Sequence, residues 1–375
     1  MTQAIPLQAL KKPTRKSIKK PPELVGYNFS PEQARQARDA GRLLSMRTEL
    51  SLRCDLACRY CNGTSGTAPP GEIHSDVIKD TIRQVKDLGG ESVVVIGGGE
   101  PTIYPKFRDI ITFISSLGMI PALITNTQTI TPDLAKFLYD SNASVLTKLD
   151  SLDEKRQDFL AGVNGAYKKI QEGLRHLVDV GFTDGGNDRL RLGASFVTTS
   201  MTLDETPDIW RYCRDRNIYP NQELLIPRGR ALTELSELTP TVDQIHALKQ
   251  KLLEVDQDEY GYDWNVHMPL TGQGCLQHMY SVYLTAMGYV RPCADVDIEL
   301  FNVDDMTIAE VIDTPFFQIA RHIEDGLEGK CGGCDHNYEC IGCRGLAFST
   351  GVLEGKSPYD AITREDPLCN KQPTD

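Results

Sequence analysis

Apolar, β-branched runs alternate with amphipathic stretches along residues 47–226 of this 375-residue chain. The runs predict strands at 47–52, 92–96, 120–125, 144–149, 190–198 and 223–226. Helices are predicted between them, at 75–88, 105–117, 132–139, 167–180 and 203–217, and several carry an acid in the first turn or a glycine after the last. Such alternation requires a parallel sheet, open or curled into a barrel. Six units are too few for a complete eight-stranded barrel.

Both ends of the chain depart from this pattern. Residues 1–22 carry six Lys or Arg among prolines and no acid, so they are either a solvated tail or an arm that touches an acidic partner. Beyond residue 264 a hairpin is predicted at 281–291, followed by cysteines and little long periodicity, so metal ligation is expected to replace an apolar core. The predicted divisions are a tail with a short helix (1–45), a barrel (46–240), a linker helix (241–263) and a small cysteine-rich α+β domain (264–375).

Ten of the eleven cysteines fall in two groups, at 54–61 and 275–369. No apolar run is long enough to span a membrane, and none follows the basic N-terminus as in a signal peptide, so a cytoplasmic location is predicted. Disulfides are rare there and an odd cysteine count suits them poorly, which favours metal or cluster ligation. The net charge of −12 argues against binding of nucleic acid by the body of the protein.

Cys54, Cys58 and Cys61 directly follow the first predicted strand. Three thiolates at this spacing can converge on one iron–sulfur cubane and leave its fourth iron open to a small chelating ligand. The alternatives are a structural zinc site or a chance cluster. Zinc usually takes four ligands, and no fourth Cys or His lies nearby.

The second strand runs into three glycines, a glutamate and a proline, at residues 97–101. Glycines allow the backbone to approach a ligand closely. The segment matches neither the dinucleotide fingerprint nor the P-loop. Taken alone, it is equally typical of a tight turn that carries a surface glutamate.

The two motifs together resemble those of the radical S-adenosylmethionine (SAM) superfamily. The spacing C-x3-C-x2-C has an aromatic before its third cysteine, and the later segment reads Gly98-Gly99-Glu100-Pro101. The resemblance implies a [4Fe–4S] cluster on the three cysteines with an open iron where SAM binds, and a Gly-Gly-Glu-Pro segment that binds the SAM amino group. It also implies an α/β fold, a partial (β/α)6 TIM-like barrel, with the site at the carboxyl ends of the strands.

Further SAM-binding candidates follow later strands. Asn126 stands where relatives often have Thr-Asn-Gly, although residue 127 is threonine here. Lys148 and Asp150 match a segment that ends the fourth strand of relatives; they either reach SAM or substrate or pair with each other. Ser195 is a candidate for the SAM ribose, the alternative being a satisfied polar side chain in the sheet. Residues 225–231 are a candidate contact for adenine or substrate.

The C-terminal cysteines resemble the seven-cysteine SPASM extension of radical SAM enzymes, although two residues, not the usual three, precede the sixth cysteine. The resemblance implies two auxiliary [4Fe–4S] clusters. No cysteine lies at 276–292, where some relatives supply a fourth ligand, so the first cluster has an open iron or an oxygen or nitrogen ligand. In isolation the C-x2-C pairs also fit two zinc sites. The implied ligands are Cys275, Cys293 and Cys343 for the first cluster and Cys331, Cys334, Cys340 and Cys369 for the second.

The resemblance implies an enzyme that cleaves SAM to a 5′-deoxyadenosyl radical and abstracts hydrogen from a substrate. An electron donor such as flavodoxin or ferredoxin is expected. Peptide side-chain modification of the RiPP type is the preferred prediction, although only 53 residues precede Cys54, too few for the leader-binding domain of many peptide maturases. The alternatives are a small-molecule oxidoreductase or epimerase acting on a haem-pathway, sugar or cyclitol substrate, and a non-catalytic iron–sulfur or zinc scaffold.

Overall fold

The computed structural model describes residues 19–63, 65–184, 189–267, 271, 275–337 and 340–369, so most of the basic N-terminal tail lies outside the described residues. The strands are β1 (Glu23–Leu24), β2 (Ser45–Thr48), β3 (Ser92–Val95), β4 (Ile120–Thr125), β5 (Ser144–Lys148), β6 (Arg189–Leu190), β7 (Leu192–Val197), β8 (Tyr219–Glu223), β9 (Ser281–Leu284) and β10 (Val290–Arg291).

The helices surround the sheet and build most of the C-terminal region. They are α1 (Pro31–Asp39), α2 (Ser75–Asp87), α3 (Phe107–Ser116), α4 (Pro132–Asp140), α5 (Glu154–Ala161), α6 (Ala166–Asp179), α7 (Thr206–Arg214), α8 (Ala231–Leu238), α9 (Val242–Val255), α10 (Gln277–Tyr280), α11 (Ile308–Ile312), α12 (Pro315–Arg321), α13 (Gly329–Gly332), α14 (Arg344–Leu353) and α15 (Pro358–Thr363).

The main sheet follows the predicted β-α alternation. Within the described ranges it has eight strands in the order β10-β9-β2-β3-β4-β5-β7-β8. The strands from β2 to β8 in this order pair in parallel, with helices between them. The prediction of a mixed α/β fold with a parallel, partial TIM-like barrel is confirmed.

The predicted hairpin forms, and it joins the barrel sheet. Strands β9 and β10 pair antiparallel around the turn, and β9 also pairs in parallel with β2. Two contacts from this hairpin reach the carboxylate of Glu49: the Tyr283 hydroxyl and the Ala286 backbone N–H each donate to it at 2.7 Å. The C-terminal region therefore supplies part of the wall beside the first barrel strand.

Two predicted strands were placed wrongly. The first was expected at 47–52 but ends at Thr48, because the following residues already turn: Leu52 donates its N–H to Glu72 and its carbonyl accepts from Gly66. The sixth was expected at the apolar run 223–226 but occupies Tyr219–Glu223. This strand includes Pro220, but β8 lies at the sheet edge, where a missing N–H is tolerated.

The amphipathic helices pack their apolar faces against the sheet, as α2 does with Ile78, Ile82 and Val85. One polar group inside this packing is the Asp256 carboxylate, which is fully buried. It accepts from the Arg214 guanidinium at 2.7 and 2.9 Å and from the indoles of Trp210 and Trp264 at 2.9 Å each. This network ties α7 to the segment that leaves the barrel. In the described part of the chain, no helix has the length and apolarity needed to traverse a bilayer.

Candidate active site

A cavity of about 650 Å³ lies at the carboxyl ends of the parallel strands. Its wall contains residues that lie on or just after strands β2, β3, β4, β5, β7 and β8. All three cysteines of the 54–61 group line it. The other predicted SAM-binding residues on its wall are Gly98, Gly99, Glu100, Asn126, Lys148, Asp150 and Ser195. Pro101 is buried behind them, at the start of a short 3-10 turn.

The cysteine loop is held by residues from distant parts of the chain. The Arg230 guanidinium donates to the carbonyls of Cys58 (3.0 Å) and Ser65 (2.8 Å). A side chain on Gly229 would meet the Gly63 carbonyl at 2.4 Å, so only glycine fits there. The segment predicted to contact adenine or substrate thus also fastens the cysteine loop, and nothing in its sequence indicated this second role.

The glycines of the 97–101 segment are required by contacts within the chain. A Cβ on Gly99 would lie 1.8 Å from the Arg53 carbonyl, which allows no side chain. The N–H groups of Gly99 and Glu100 donate to the carbonyls of Ser51 (2.8 Å) and Arg53 (2.7 Å). The motif is therefore fixed against the backbone that leads into the cysteines.

The Glu100 side chain is almost fully buried, at 3% exposure. It accepts from the N–H of Thr102 (3.0 Å) and the hydroxyl of Thr125 (2.7 Å) on one oxygen, and from the N–H of Asn126 (2.7 Å) on the other. Burial raises its pKa, and these donors oppose that effect. Glu100 thereby joins the loop after β3 to the end of β4.

Residue 127 keeps the turn shape of a glycine. Thr127 is buried and has φ of 70°, a left-handed conformation that is costly for a β-branched residue. Its N–H is accepted by the Thr125 hydroxyl at 3.0 Å. The neighbouring Asn126 donates its amide to Asp55, inside the cysteine loop. The departure from Thr-Asn-Gly thus leaves the turn in place.

Lys148 and Asp150 form an ion pair, with Nζ 3.0 Å from the carboxylate and Asp150 fully buried. The carboxylate also accepts from the hydroxyl of Tyr60, the amide of Gln157 (3.2 Å) and the N–H of Val197 (3.1 Å). Burial opposes the charge on Lys148, but Asp150, Cys58 and Glu223 together outweigh it, so the pKa of Lys148 is raised. Lys148 also lies 4.1 Å from the centre of the Tyr60 ring. Of the two alternatives for this pair, mutual pairing is the one observed.

Ser195 donates to a carboxylate that the sequence did not single out. Its hydroxyl lies 3.0 Å from Oε1 of Glu223, and the amide of Asn221 donates to the same oxygen at 2.7 Å. Burial raises the pKa of Glu223. Because all three residues line the cavity, this polar group faces the space next to the cysteine loop.

Three C-terminal cysteines share the wall of the same cavity: Cys275, Cys293 and Cys343. Two of their sulfurs accept hydrogen bonds, from the Gln277 amide to Cys293 (3.2 Å) and from the Leu346 N–H to Cys343 (3.4 Å). The other predicted auxiliary ligands line a separate, smaller cavity of about 40 Å³; they are Cys331, Cys334, Cys340 and Cys369. There the N–H groups of Asp366 and His336 donate to the sulfurs of Cys331 and Cys334, each at 3.4 Å.

This donor chemistry suits iron–sulfur clusters. Thiolate ligands of such clusters commonly accept N–H hydrogen bonds, which adjust the reduction potential. Burial raises the pKa of the Cys58 thiol to about 12 although the positive charge of Lys148 opposes it, so iron must displace a proton on binding. Among the residues that the structure describes, no three His, Cys, Asp or Glu side chains converge closely enough to hold one metal ion. The cysteines surround two cavities instead.

Several cavity residues were missed from the sequence. Arg47 and Glu49 lie on the inner face at the first strand, and Asp295 lies beside the C-terminal cysteines. The first two had a readable signal: charges at alternate positions interrupt what should be a continuous apolar strand in a buried parallel sheet. Asp295 had none, because only tertiary structure brings it to the cavity.

Comparison with known proteins agrees with this geometry. Residues 48–207 match the family model described as radical SAM superfamily, and residues 275–335 match one described as an iron–sulfur cluster-binding domain, SPASM. The chain belongs to the radical SAM superfamily and carries a C-terminal SPASM domain. The first match spans the predicted SAM-site residues from Cys54 to Ser195, and ends before the 225–231 segment. The second contains Cys275, Cys293, Cys331 and Cys334.

Three relatives illustrate the range of this family. A mycofactocin maturase of Mycolicibacterium smegmatis is 28% identical over 91% of this chain and 86% of its own. An AdoMet-dependent heme synthase of Oleidesulfovibrio alaskensis is 24% identical over 87% and 86%. The crystal structure of Streptococcus suis SuiB bound to the precursor peptide SuiA has the same fold, with a TM-score of 0.65 at 18% identity, covering 91% of this chain and 80% of that one.

The radical SAM chain is therefore an enzyme that uses a [4Fe–4S] cluster, SAM and auxiliary iron–sulfur clusters. The alternative of a non-catalytic scaffold is wrong.

Proposed function

We propose that this enzyme cleaves SAM to a 5′-deoxyadenosyl radical beside Cys54, Cys58 and Cys61, and that the radical abstracts hydrogen from a peptide substrate. The observation that carries the proposal is the shared cavity: both the 54–61 cysteines and three C-terminal cysteines line one space of about 650 Å³. That volume falls within the range of about 300–1,000 Å³ typical of ligand pockets.

Each residue of the proposed SAM site has a separate task. The [4Fe–4S] cluster, when bound, supplies the open iron and the electron for SAM cleavage. Gly98 and Gly99 offer backbone carbonyls to the SAM ammonium, while Glu100 holds their loop from behind. Asn126 orients the cysteine loop through Asp55.

The pair Lys148–Asp150 and the group around Ser195 complete the proposed SAM site. The ion pair fixes Tyr60 beside the cluster, because the Tyr60 hydroxyl donates to the Asp150 carboxylate. Ser195 and Glu223 present a hydroxyl and a carboxylate that suit the ribose hydroxyls of SAM.

The C-terminal cysteines are proposed to hold two auxiliary [4Fe–4S] clusters, one in each cavity. The first, on Cys275, Cys293 and Cys343, lies on the cavity wall and would accept an electron from the substrate radical. The second, on the four cysteines of the smaller cavity, would pass that electron onward. An electron donor such as flavodoxin or ferredoxin would reduce the SAM cluster. The proposed domain division is 46–240 for the barrel and 264–375 for the auxiliary-cluster region.

A peptide is the preferred substrate for two reasons. The maturase relative has the higher sequence identity of the two curated relatives above, and the SuiB structure, which holds a precursor peptide, shares the fold. A second candidate is a small molecule of the haem pathway, favoured by the heme synthase relative, which aligns over 87% of the chain.

The activity is tested by anaerobic reconstitution. The expected result is about twelve irons per chain, from three [4Fe–4S] clusters, and reductant-dependent release of 5′-deoxyadenosine from SAM. Cys58→Ala should lose the SAM cleavage and about four irons, whereas Cys213→Ala, whose thiol is buried in α7 away from both cavities, should lose neither. Stoichiometric zinc without SAM cleavage would contradict the proposal.

The substrate is tested by isotope transfer. The neighbouring genes are first searched for a short open reading frame, and its peptide product, deuterated on its side chains, should transfer deuterium to 5′-deoxyadenosine. A haem-pathway porphyrin, deuterated likewise, serves as the competing substrate. Transfer from the porphyrin alone would reject the peptide and support the second candidate.

A further inference from the structure

The first auxiliary cluster lacks a fourth cysteine. Three cysteines line its part of the cavity wall, and a cubane has four irons. The sequence contains no cysteine at 276–292, and the remaining one, Cys213, is buried in α7. A donor other than sulfur must therefore complete the cluster, unless its fourth iron stays open.

A histidine lies on the wall of the same cavity as the three cysteines. His278 comes three residues after Cys275, on the short helix α10, and lines the same cavity. Its side chain is only 3% exposed. Its Nε2 atom is buried and has no hydrogen-bond partner. A buried polar atom without a partner costs about 1–3 kcal/mol, so its presence needs a physical reason.

The imidazole is available as a ligand. Burial, together with the positive charge of Arg344, lowers the pKa of His278 to about 3. The ring is therefore neutral near pH 7, with a lone pair on one nitrogen. Arg344 directly follows Cys343, and His278 lines the same cavity as Cys275 and Cys343.

Two other donors on this wall are less suitable. The Asp295 carboxylate already accepts from the Asn62 amide and lies 3.9 Å from Arg228. Gln277 uses its amide nitrogen on the Cys293 sulfur, which leaves a buried amide oxygen without a partner. An amide oxygen is a hard donor and suits iron–sulfur clusters poorly, whereas imidazole replaces thiolate in Rieske clusters.

We propose that Nε2 of His278 binds the fourth iron of the first auxiliary cluster and completes a three-cysteine, one-histidine ligand set. The inference rests on the proposed assignment of Cys275, Cys293 and Cys343 to this cluster. This bond would give the unpaired Nε2 of His278 a partner. It would also supply the fourth ligand that the three cysteines do not provide. Because histidine ligands raise the potential of a cluster relative to thiolates, this cluster would also accept electrons more readily.

The test is pulsed electron paramagnetic resonance on the reduced, fully reconstituted enzyme. Two preparations are compared, one with ordinary histidine and one with histidine labelled by the heavy nitrogen isotope. The expected result is a strong nitrogen coupling on one reduced cluster that changes with the label. His278→Cys should keep about twelve irons, lose this coupling and shift one midpoint potential downward. Gln277→Ala, as the matched control, should keep the coupling.

The outcomes distinguish a failure of the histidine ligand from a failure of the cysteine assignment to the first auxiliary cluster. Twelve irons with no nitrogen coupling in the wild type, or a coupling that persists in His278→Cys, would overturn the histidine ligand alone. A Cys275→Ala variant that keeps every cluster would overturn the cluster assignment itself. The wild-type measurement stands even if a variant at residue 278 fails to fold.

Discussion

Replacing Glu100 by glutamine tests whether this residue positions the loop after β3. One carboxylate oxygen accepts from Thr102 and Thr125, and the other accepts from the backbone N–H of Asn126 at 2.7 Å. Glutamine keeps one oxygen and replaces the other by NH2. Whichever way the amide turns, its NH2 faces a backbone N–H, and a buried donor is left without an acceptor.

The cost follows from this one lost acceptor. A buried donor without a partner costs about 1–3 kcal/mol. For a chain of 375 residues the unfolding entropy is about 0.8 kcal/mol per kelvin, so each kcal/mol lowers Tm by about 1.3 °C. The expected decrease in Tm for Glu100→Gln is therefore about 1–4 °C. The affinity for SAM should fall as well, because the carbonyls of the same loop lose their fixed position.

The assay is thermal unfolding of the reconstituted enzyme under nitrogen at pH 8, with SAM titration as a second readout. The matched control is Glu254→Gln, since Glu254 is half exposed and pairs with Lys251 at 3.5 Å. That change should shift Tm by less than about 1 °C, as is usual for surface pairs. If Glu100→Gln behaved like the control in both readouts, the positioning role of Glu100 would be refuted.

Three further substitutions test other parts of the structure. Gly99→Ala places a methyl group against the Arg53 carbonyl and should destabilise the enzyme by more than about 3 kcal/mol, seen as a lower Tm and lost cluster content. Glu223→Gln removes a carboxyl whose pKa burial raises. Because the pKa of Glu223 is higher in the folded wild type than in the unfolded chain, the folded state binds the carboxyl proton more tightly. The wild type therefore loses stability as pH rises above about 4.3. Glu223→Gln should have the same Tm as the wild type in acid and a higher Tm than the wild type at pH 8. Asp256→Asn leaves the Arg214 guanidinium buried without its counter-charge and should cost about 3–5 kcal/mol in chemical unfolding.

Each of these has its own control. Gly326→Ala meets nothing closer than 3.9 Å and should leave Tm unchanged, so equal losses at both glycines would contradict the steric argument. Ser195 and Asn221 both donate to the same oxygen of Glu223, and the amide oxygen of glutamine can accept both hydrogen bonds. A Tm difference between Glu223→Gln and the wild type that did not depend on pH would therefore contradict the titration argument. Asp140→Asn alters an exposed ion pair with Lys136 and should change stability by less than about 1 kcal/mol.

Strands were predicted correctly from the sequence where a local hydrophobic pattern marks them. The strand 120–125 was correct to the residue, because a continuous apolar run is flanked by clear turns. The strand at Tyr219–Glu223 was missed because its residues are polar and include a proline. Their burial is set by the sheet edge and the cavity, and neither is encoded in a local pattern.

Candidate site residues were predictable where spacing alone carries the chemistry. The cysteine groups and the 98–101 segment belong to that class. The sequence did not predict that Arg230 holds the cysteine loop or that Glu223 pairs with Ser195. Each role depends on a contact between elements far apart in the chain. The unpaired nitrogen of His278 likewise becomes visible only when its surroundings are known.

The pairing of β9 with β2 also governs how the chain can be made. The hydroxyl of Tyr283 binds Glu49, 234 residues earlier in the chain, and the two strands on either side of this contact are neighbours in the sheet. While the ribosome is still translating the barrel, one edge of β2 is unpaired because β9 has not yet been synthesised. Contacts of such long sequence separation form late, and an unpaired edge invites association with other chains. Nascent chains of this enzyme therefore have most need of chaperones just before residue 281 emerges.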